Sequence, residues 1–210
     1  MLKVQSEAQC DVQDFYREIE MNARCQHPNL VSLIGACTEL PHMCIVTEFL
    51  PGGSIAKLLR GPPLSRTKIL QICVDIACGL DYLHSQNLIH RDIKPDNLLI
   101  AADGTVKIAD FGLSRTKSIS HRMTCDIGTA EYMAPEILAT SESSVRYDER
   151  VDVFAFGIIM WQLFTQQQPY ETIFAPIAIL YKVKVDNMRP EIPDNCPLPF
   201  ASLMVIFSLL

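Results

Sequence analysis

Between His90 and Ile100 the chain reads His-Arg-Asp-Ile-Lys-Pro-Asp-Asn-Leu-Leu-Ile, which sets a carboxylate (Asp92), an ammonium (Lys94) and an amide (Asn97) within six positions. The apolar run Leu98-Leu99-Ile100 follows at once and predicts a short buried strand. A loop clamped against such a strand can hold three polar side chains on one side, as catalysis requires. Ten residues past the end of that strand comes Asp110 in Ala109-Asp110-Phe111-Gly112, a second carboxylate on a glycine-terminated turn. A third short stretch, Ala134-Pro135-Glu136, follows further on.

The elements that must position these groups are legible from periodicity. Val12, Phe15, Tyr16 and Ile19 recur at helical spacing between Asp11 and Cys25, with acids early and Arg24 late, as a helix dipole prefers. His27-Pro28-Asn29 ends that helix, because proline disfavours helical geometry in the residue before it. Two strand-like runs follow, Leu30 to Cys37 and His42 to Phe49, joined by a turn at Glu39-Leu40-Pro41. Pro51-Gly52-Gly53-Ser54 reads as a hinge whose serine caps a short helix starting at Ile55. Gly61-Pro62-Pro63 ends it. Ser65 opens a longer helix whose core stripe is Ile69, Ile72, Cys73, Ile76, Ala77, Leu80 and Leu83. Leu113 to Tyr132 is polar and aperiodic, so it predicts a mobile loop. Asp152 to Phe164 is almost wholly apolar and predicts a helix buried on all sides, and 190–199 is proline-rich and irregular.

Composition sets outer bounds. The chain of 210 residues is 49% hydrophobic and 20% charged, ordinary for a soluble globular protein, and can bury a substantial core. A net charge of −6 argues against nucleic acid or an anionic membrane surface as partner. No apolar run is long enough to span a bilayer. The eight cysteines are scattered without a Cys-x-x-Cys pair, and no signal peptide is visible. They read as reduced, mostly buried thiols of a cytoplasmic protein rather than a disulfide framework or zinc site.

His-Arg-Asp-x-x-x-x-Asn, Asp-Phe-Gly and Ala-Pro-Glu, in this order and at this spacing, resemble the signature set of eukaryotic protein kinases. The resemblance covers roughly residues 3 to 204. It implies an α+β, bilobal kinase fold using ATP and Mg²⁺ to phosphorylate a protein substrate. Asp92 would orient or deprotonate the attacking hydroxyl, Asn97 and Asp110 would hold Mg²⁺, and Lys94 would contact the γ-phosphate. Thr47 would be the gatekeeper before the hinge, the backbones of Glu48 and Leu50 would bond adenine, and Leu99 would pack beneath it. Ser54 belongs to the same nucleotide-binding set. Glu18 would pair with the strand lysine that positions the phosphates. His90 and Phe111 would align the loop with the Asp-Phe-Gly turn, and Asp152 would hydrogen-bond the catalytic loop's backbone. Arg91 would meet an activation-loop phosphate on Ser118, Ser120 or Thr124. Thr129, after Gly128, would bond the catalytic aspartate and lysine.

Lys94, Gly128-Thr129 and Met133-Ala134-Pro135-Glu136 are of serine/threonine type. Leu33-Ile34-Gly35-Ala36-Cys37 and Asp152-Val153-Phe154-Ala155-Phe156-Gly157-Ile158 have a tyrosine-kinase flavour. The mixture resembles the tyrosine-kinase-like group, near the Raf and mixed-lineage kinases. Three departures stand against that pattern. No Gly-x-Gly-x-x-Gly loop precedes Glu18, and Lys3, though fifteen residues before Glu18, lacks a Val-Ala-x-Lys context, so the strand lysine is expected before Met1. The chain also lacks the C-terminal arginine that would pair with Glu136. Asn22, finally, falls where the first helix should give an apolar residue to the stack with Leu33, Phe111 and His90, which would weaken the assembled state.

The expected organisation is therefore a small-lobe remnant (1–50) without the glycine-loop strands, a helical large lobe (51–204) lacking its last helices, and an apolar non-family tail (205–210). Loss of the leading strands would leave Leu30–Cys37 or Val46–Phe49 as an open sheet edge. The function implied is a serine/threonine kinase. The alternative is a truncated, catalytically inactive module that docks kinase or scaffold partners.

Overall fold

Three short strands build the small lobe: β1 (Lys3–Gln5), β2 (Leu33–Cys37) and β3 (Cys44–Thr47), antiparallel in the order β1-β3-β2. The computed structural model describes residues 3–5, 12–40, 42–110, 115–116, 130–138 and 148–209. β3 is the central strand, with Lys3 opposite one side of Thr47 and Leu33 opposite the other. Val46 therefore does not face an open edge, because Val4 pairs with it. Helix α1 (Val12–Arg24) lies against β2 and buries Phe15 and Asn22, while Tyr16, expected on the apolar face, is 45% exposed.

Leu30 and Val31, expected to be part of β2, do something else. They run parallel to the edge of β7 (Val106–Ile108), a strand of the large lobe. Val31 N donates to Ile108 O and Ile108 N donates to Asn29 O. Asn29 Nδ2 donates to Val106 O at 3.0 Å, and the buried Asp75 carboxylate accepts from Val106 N at 2.8 Å. The outer edge of β7 is thus saturated by a loop and two side chains, with no further strand needed.

β4 (Gly53–Ser54) pairs with β6 (Leu98–Ile100), which pairs with β7. Gly53 sits at φ +75°, a conformation glycine adopts without steric cost. Ser54 caps α2 (Ile55–Leu58) by accepting from Lys57 N, and Ser65 caps α3 (Arg66–Ser85) by accepting from Lys68 N. Along α3 the predicted stripe is buried except for Ala77, whose place is taken by Gly79 and Asp75. A Cβ at Gly79 would stand 2.8 Å from Ile108 Cδ1 and 2.9 Å from Asn29 O, so the missing side chain lets the hairpin seat on the helix. A small pair, β5 (Leu88–Ile89) with β8 (Arg115–Thr116), lies beyond α3.

Helix α4 (Arg150–Thr165) is enclosed by the other large-lobe elements, as its composition predicts. Short 3₁₀ turns at Ala130–Tyr132 and Pro135–Leu138, then α5 (Pro176–Val185) and α6 (Leu198–Leu209), complete the lobe. The boundary expected at residue 205 falls inside α6, which runs on without a break. Phe207 stacks on Phe156 with ring centroids 5.7 Å apart, and Ser208 is buried. Apolar side chains on both helices are the reason: α6 has its own place against α4. Cys25 and Cys73 are buried, Cys37, Cys44 and Cys196 are partly exposed, and Cys78 is exposed, so burial of the thiols is less general than expected. Cys10 and Cys125 lie outside the described residues. Among the described residues no helix is long and apolar enough to cross a membrane.

Replacing Asp75 by Ala is expected to strand the Val106 N–H inside the core and to cost about 1–3 kcal/mol. A urea midpoint equal to that of the parent chain would contradict this account of the β7 edge.

Candidate active site

Asp152, 1% exposed in the first turn of α4, gathers the loop that carries the predicted catalytic residues. Its Oδ2 accepts from His90 N and its Oδ1 from Arg91 N, both at 2.8 Å. His84 Nε2, from the last turn of α3, lies 2.8 Å from Oδ2. A carboxylate in so apolar a helix needs such partners, and the loop's backbone supplies them.

His90 is wholly buried and locked at both ring nitrogens. Nδ1 accepts from Asp92 N at 3.2 Å, so Nε2 carries the proton and donates to Ala109 O at 3.0 Å. One ring thus joins Asp92 to the residue before Asp110. Arg91 (φ +71°) and Asp110 (φ +67°) both hold left-handed backbone conformations, uncommon for residues with a Cβ and concentrated at functional sites.

Asp92, Lys94 and Asn97 meet as their spacing implies. Asp92 Oδ2 lies 2.7 Å from Lys94 Nζ and accepts from Asn97 Nδ2 at 2.8 Å. The same Nδ2 donates to Asp92 O at 2.8 Å, so the Asn97 amide bridges backbone and side chain of the acid. Pro95–Asn97 forms a 3₁₀ turn, and Ala109 N donates to Asn97 O at 2.8 Å, which binds β6 to the approach to Asp110.

An open cleft lies between the lobes, lined among others by Glu18, Thr47, Asn97, Leu99 and Asp110, all predicted site residues. Asn22, Val31, Ile45, Asp96 and Ala109 complete the lining. Asn22, expected only to spoil an apolar stack, is 5% exposed and donates from Nδ2 to Glu18 O at 2.9 Å, so its polarity is partly satisfied within its own helix. Val31 and Asp96 carried no sequence signal. Val31 reaches the cleft because its segment leaves β2 for β7, and Asp96 because it sits in the turn before Asn97.

Glu48, Leu50 and Ser54 are not among the lining residues. Leu50 is buried, and the Ser54 hydroxyl is spent on the α2 cap. The Glu48 carboxylate instead straps the lobes together: Oε1 accepts from Ser32 N at 2.8 Å and lies 2.7 Å from Lys107 Nζ on β7. Partial burial disfavours that charge, but the bonds from Lys107 and Ser32 prevail and hold the pKa below the ordinary glutamate value. Phe111, Ser118, Ser120, Thr124 and Thr129 lie outside the described residues.

Burial pushes the Arg189 guanidinium toward the neutral form, and Tyr170 and Glu136 draw it back. Arg189 donates to Ser208 O at 2.7 Å and Val183 O at 3.1 Å, and its guanidinium lies 5.0 Å from the Phe154 ring centroid.

The fold and this constellation define a kinase, and comparison with known proteins agrees: the chain belongs to the protein kinase domain family, which matches residues 1–203. It is 39% identical to the serine/threonine-protein kinase STY46 of Arabidopsis thaliana, covering 91% of this chain and 33% of the relative. STY17 of the same plant is 38% identical over 88% of this chain and 32% of its own length. The probable serine/threonine-protein kinase drkA of Dictyostelium discoideum is 36% identical over 92% of this chain and 30% of its own. The chain is a kinase domain of serine/threonine type, with relatives among the tyrosine-kinase-like group, and it spans a third or less of the length of these curated relatives. The family in general uses ATP and Mg²⁺.

A depressed carboxylate stabilises the fold above its unfolded pKa and loses that contribution as pH falls through the folded value. The Glu48 strap is therefore expected to weaken on acidification below the ordinary glutamate range. Urea midpoints measured against pH should show this step in the parent chain; Glu48→Gln should lack it, and Lys107→Met should show it reduced.

Proposed function

We propose that this domain transfers the γ-phosphate of ATP to serine or threonine hydroxyls of protein substrates. The observation carrying this reading is the three-way contact of Asp92 with Lys94 and Asn97, fixed from below by Asp152 and beside a cleft that ends in Asp110. Phosphoryl transfer asks for positioning and charge neutralisation more than for covalent chemistry. Asp92 accepts the proton of the incoming hydroxyl and aligns it. The Lys94 ammonium, held on Asp92 in this structure, would contact the γ-phosphate.

Asn97 turns its amide nitrogen to Asp92, which leaves its amide oxygen, with the exposed Asp110 carboxylate, as a pair of hard oxygen donors. That pair fits Mg²⁺, which takes one or two protein oxygens and completes its shell from phosphates and water. Bound there, Mg²⁺ would neutralise the phosphates of ATP.

The backbone of Lys3 lies directly opposite Thr47, at the sheet position bordering the cleft that Glu18 also lines. Thr47 and Leu99 then bound the adenine side, with the backbones of Glu48 and Leu50 as its hydrogen-bonding partners. Arg91 receives an activating phosphate on Ser118, Ser120 or Thr124, and Thr129 supports the substrate platform. Residues 1–50 act as the small lobe and 51–204 as the large one, working on protein substrates in the cytoplasm. Kinase or scaffold partners are in keeping with the greater length of the relatives.

Mg-ATP at millimolar concentration is expected to raise the melting temperature by mass action, and Asp110→Ala to abolish the rise. Asp92→Asn should keep the nucleotide shift while lowering turnover on a protein substrate by roughly 10²–10⁴-fold. A parent chain without any nucleotide shift would overturn the reading.

A further inference from the structure

Cys37 ends β2 and Cys44 begins β3, and the two are direct cross-strand partners. Residues so placed point to the same face of the sheet, with Cα atoms about 4.5–5.5 Å apart. A disulfide spans Cα separations of about 4.4–6.8 Å, so the pairing places these two cysteines within disulfide range. Both thiols are partly exposed, whereas Cys25 and Cys73 are buried and burial raises their thiol pKa. Along β3, Ile45 and Thr47 line the cleft between the lobes, so Cys44 alternates onto the opposite face. The register of β2 against β3 already carries an irregularity between Leu33 and Gly35, within reach of the pairing that sets Thr47.

We propose that Cys37 and Cys44 form a reversible disulfide site, oxidised by small disulfides of the glutathione type, that pins the β2–β3 register behind the cleft. One cysteine thiolate attacks oxidised glutathione and releases a glutathione thiolate. The second cysteine thiolate then attacks the mixed disulfide and releases another. Two cysteines lose two electrons, one glutathione disulfide gains them, and the two thiol protons pass to the departing glutathiones. The site is independent of the kinase reading.

The test is titration of the full chain with oxidised and reduced glutathione, acid quenching and peptide mapping. A linked peptide joining residues 37 and 44 should grow with the oxidised fraction and vanish with dithiothreitol. Its formation should raise the melting temperature by roughly 5 °C. In Cys37→Ser, Cys44 should instead stop at a stable glutathione adduct, with no rise in melting temperature. Phenylarsine oxide, which bridges two near thiols with loss of water, should be retained on the parent chain at these two residues and lost from either serine variant. Separate glutathione adducts on both cysteines, with no linked peptide at any ratio, would overturn the proposal. So would retention of the arsenical without disulfide formation.

Discussion

A single buried carboxylate governs the geometry of the site. Asp152 sits in a helix whose residues are almost all buried and apolar, and an unpaired charge there would be costly. Its two oxygens are satisfied by two consecutive backbone N–H groups of the catalytic loop and by His84. The helix must have the loop to stay buried, and the loop must have the helix to hold Arg91 at positive φ. From that anchor the arrangement spreads outward: His90 fixes Asp92 and Ala109, Asp92 holds Asn97 and Lys94, and Ala109 leads to Asp110.

The lobes are coupled through β7 and not through the hinge alone. Asn29 and Val31, on the small-lobe side, bond its backbone. Asp75 bonds it from α3, and Glu48 reaches its Lys107 from the hinge. These contacts converge on the strand that ends two residues before Asp110. A shift of the small lobe is thus felt at the cleft through packed and hydrogen-bonded groups, without a long-range route.

Arg189 plays a similar part at the far end of the large lobe. A guanidinium offers several donors in a fixed plane, and here they serve the carbonyl groups of Val183, Met188 and Ser208 while the plane lies over Phe154. It joins α4, α5 and α6.

By itself the sequence determined the parts whose signals are local. Ser54 and Ser65 cap helices because a serine side chain answers an N–H three residues on; α4 is buried because nearly all of it is apolar; Asp92, Lys94 and Asn97 meet because one loop carries all three. The resemblance of three short motifs to a kinase was legible for the same reason. Only the tertiary structure decided what depends on distant partners. It took Leu30 and Val31 out of β2 and set them beside β7, because Asn29 and Ile108 satisfy each other across the lobes. It turned the Glu48 side chain to Lys107 and kept 205–209 within α6 because Phe156 offers Phe207 a surface. No periodicity marks such contacts, since each joins residues whose chain neighbours say nothing of the other.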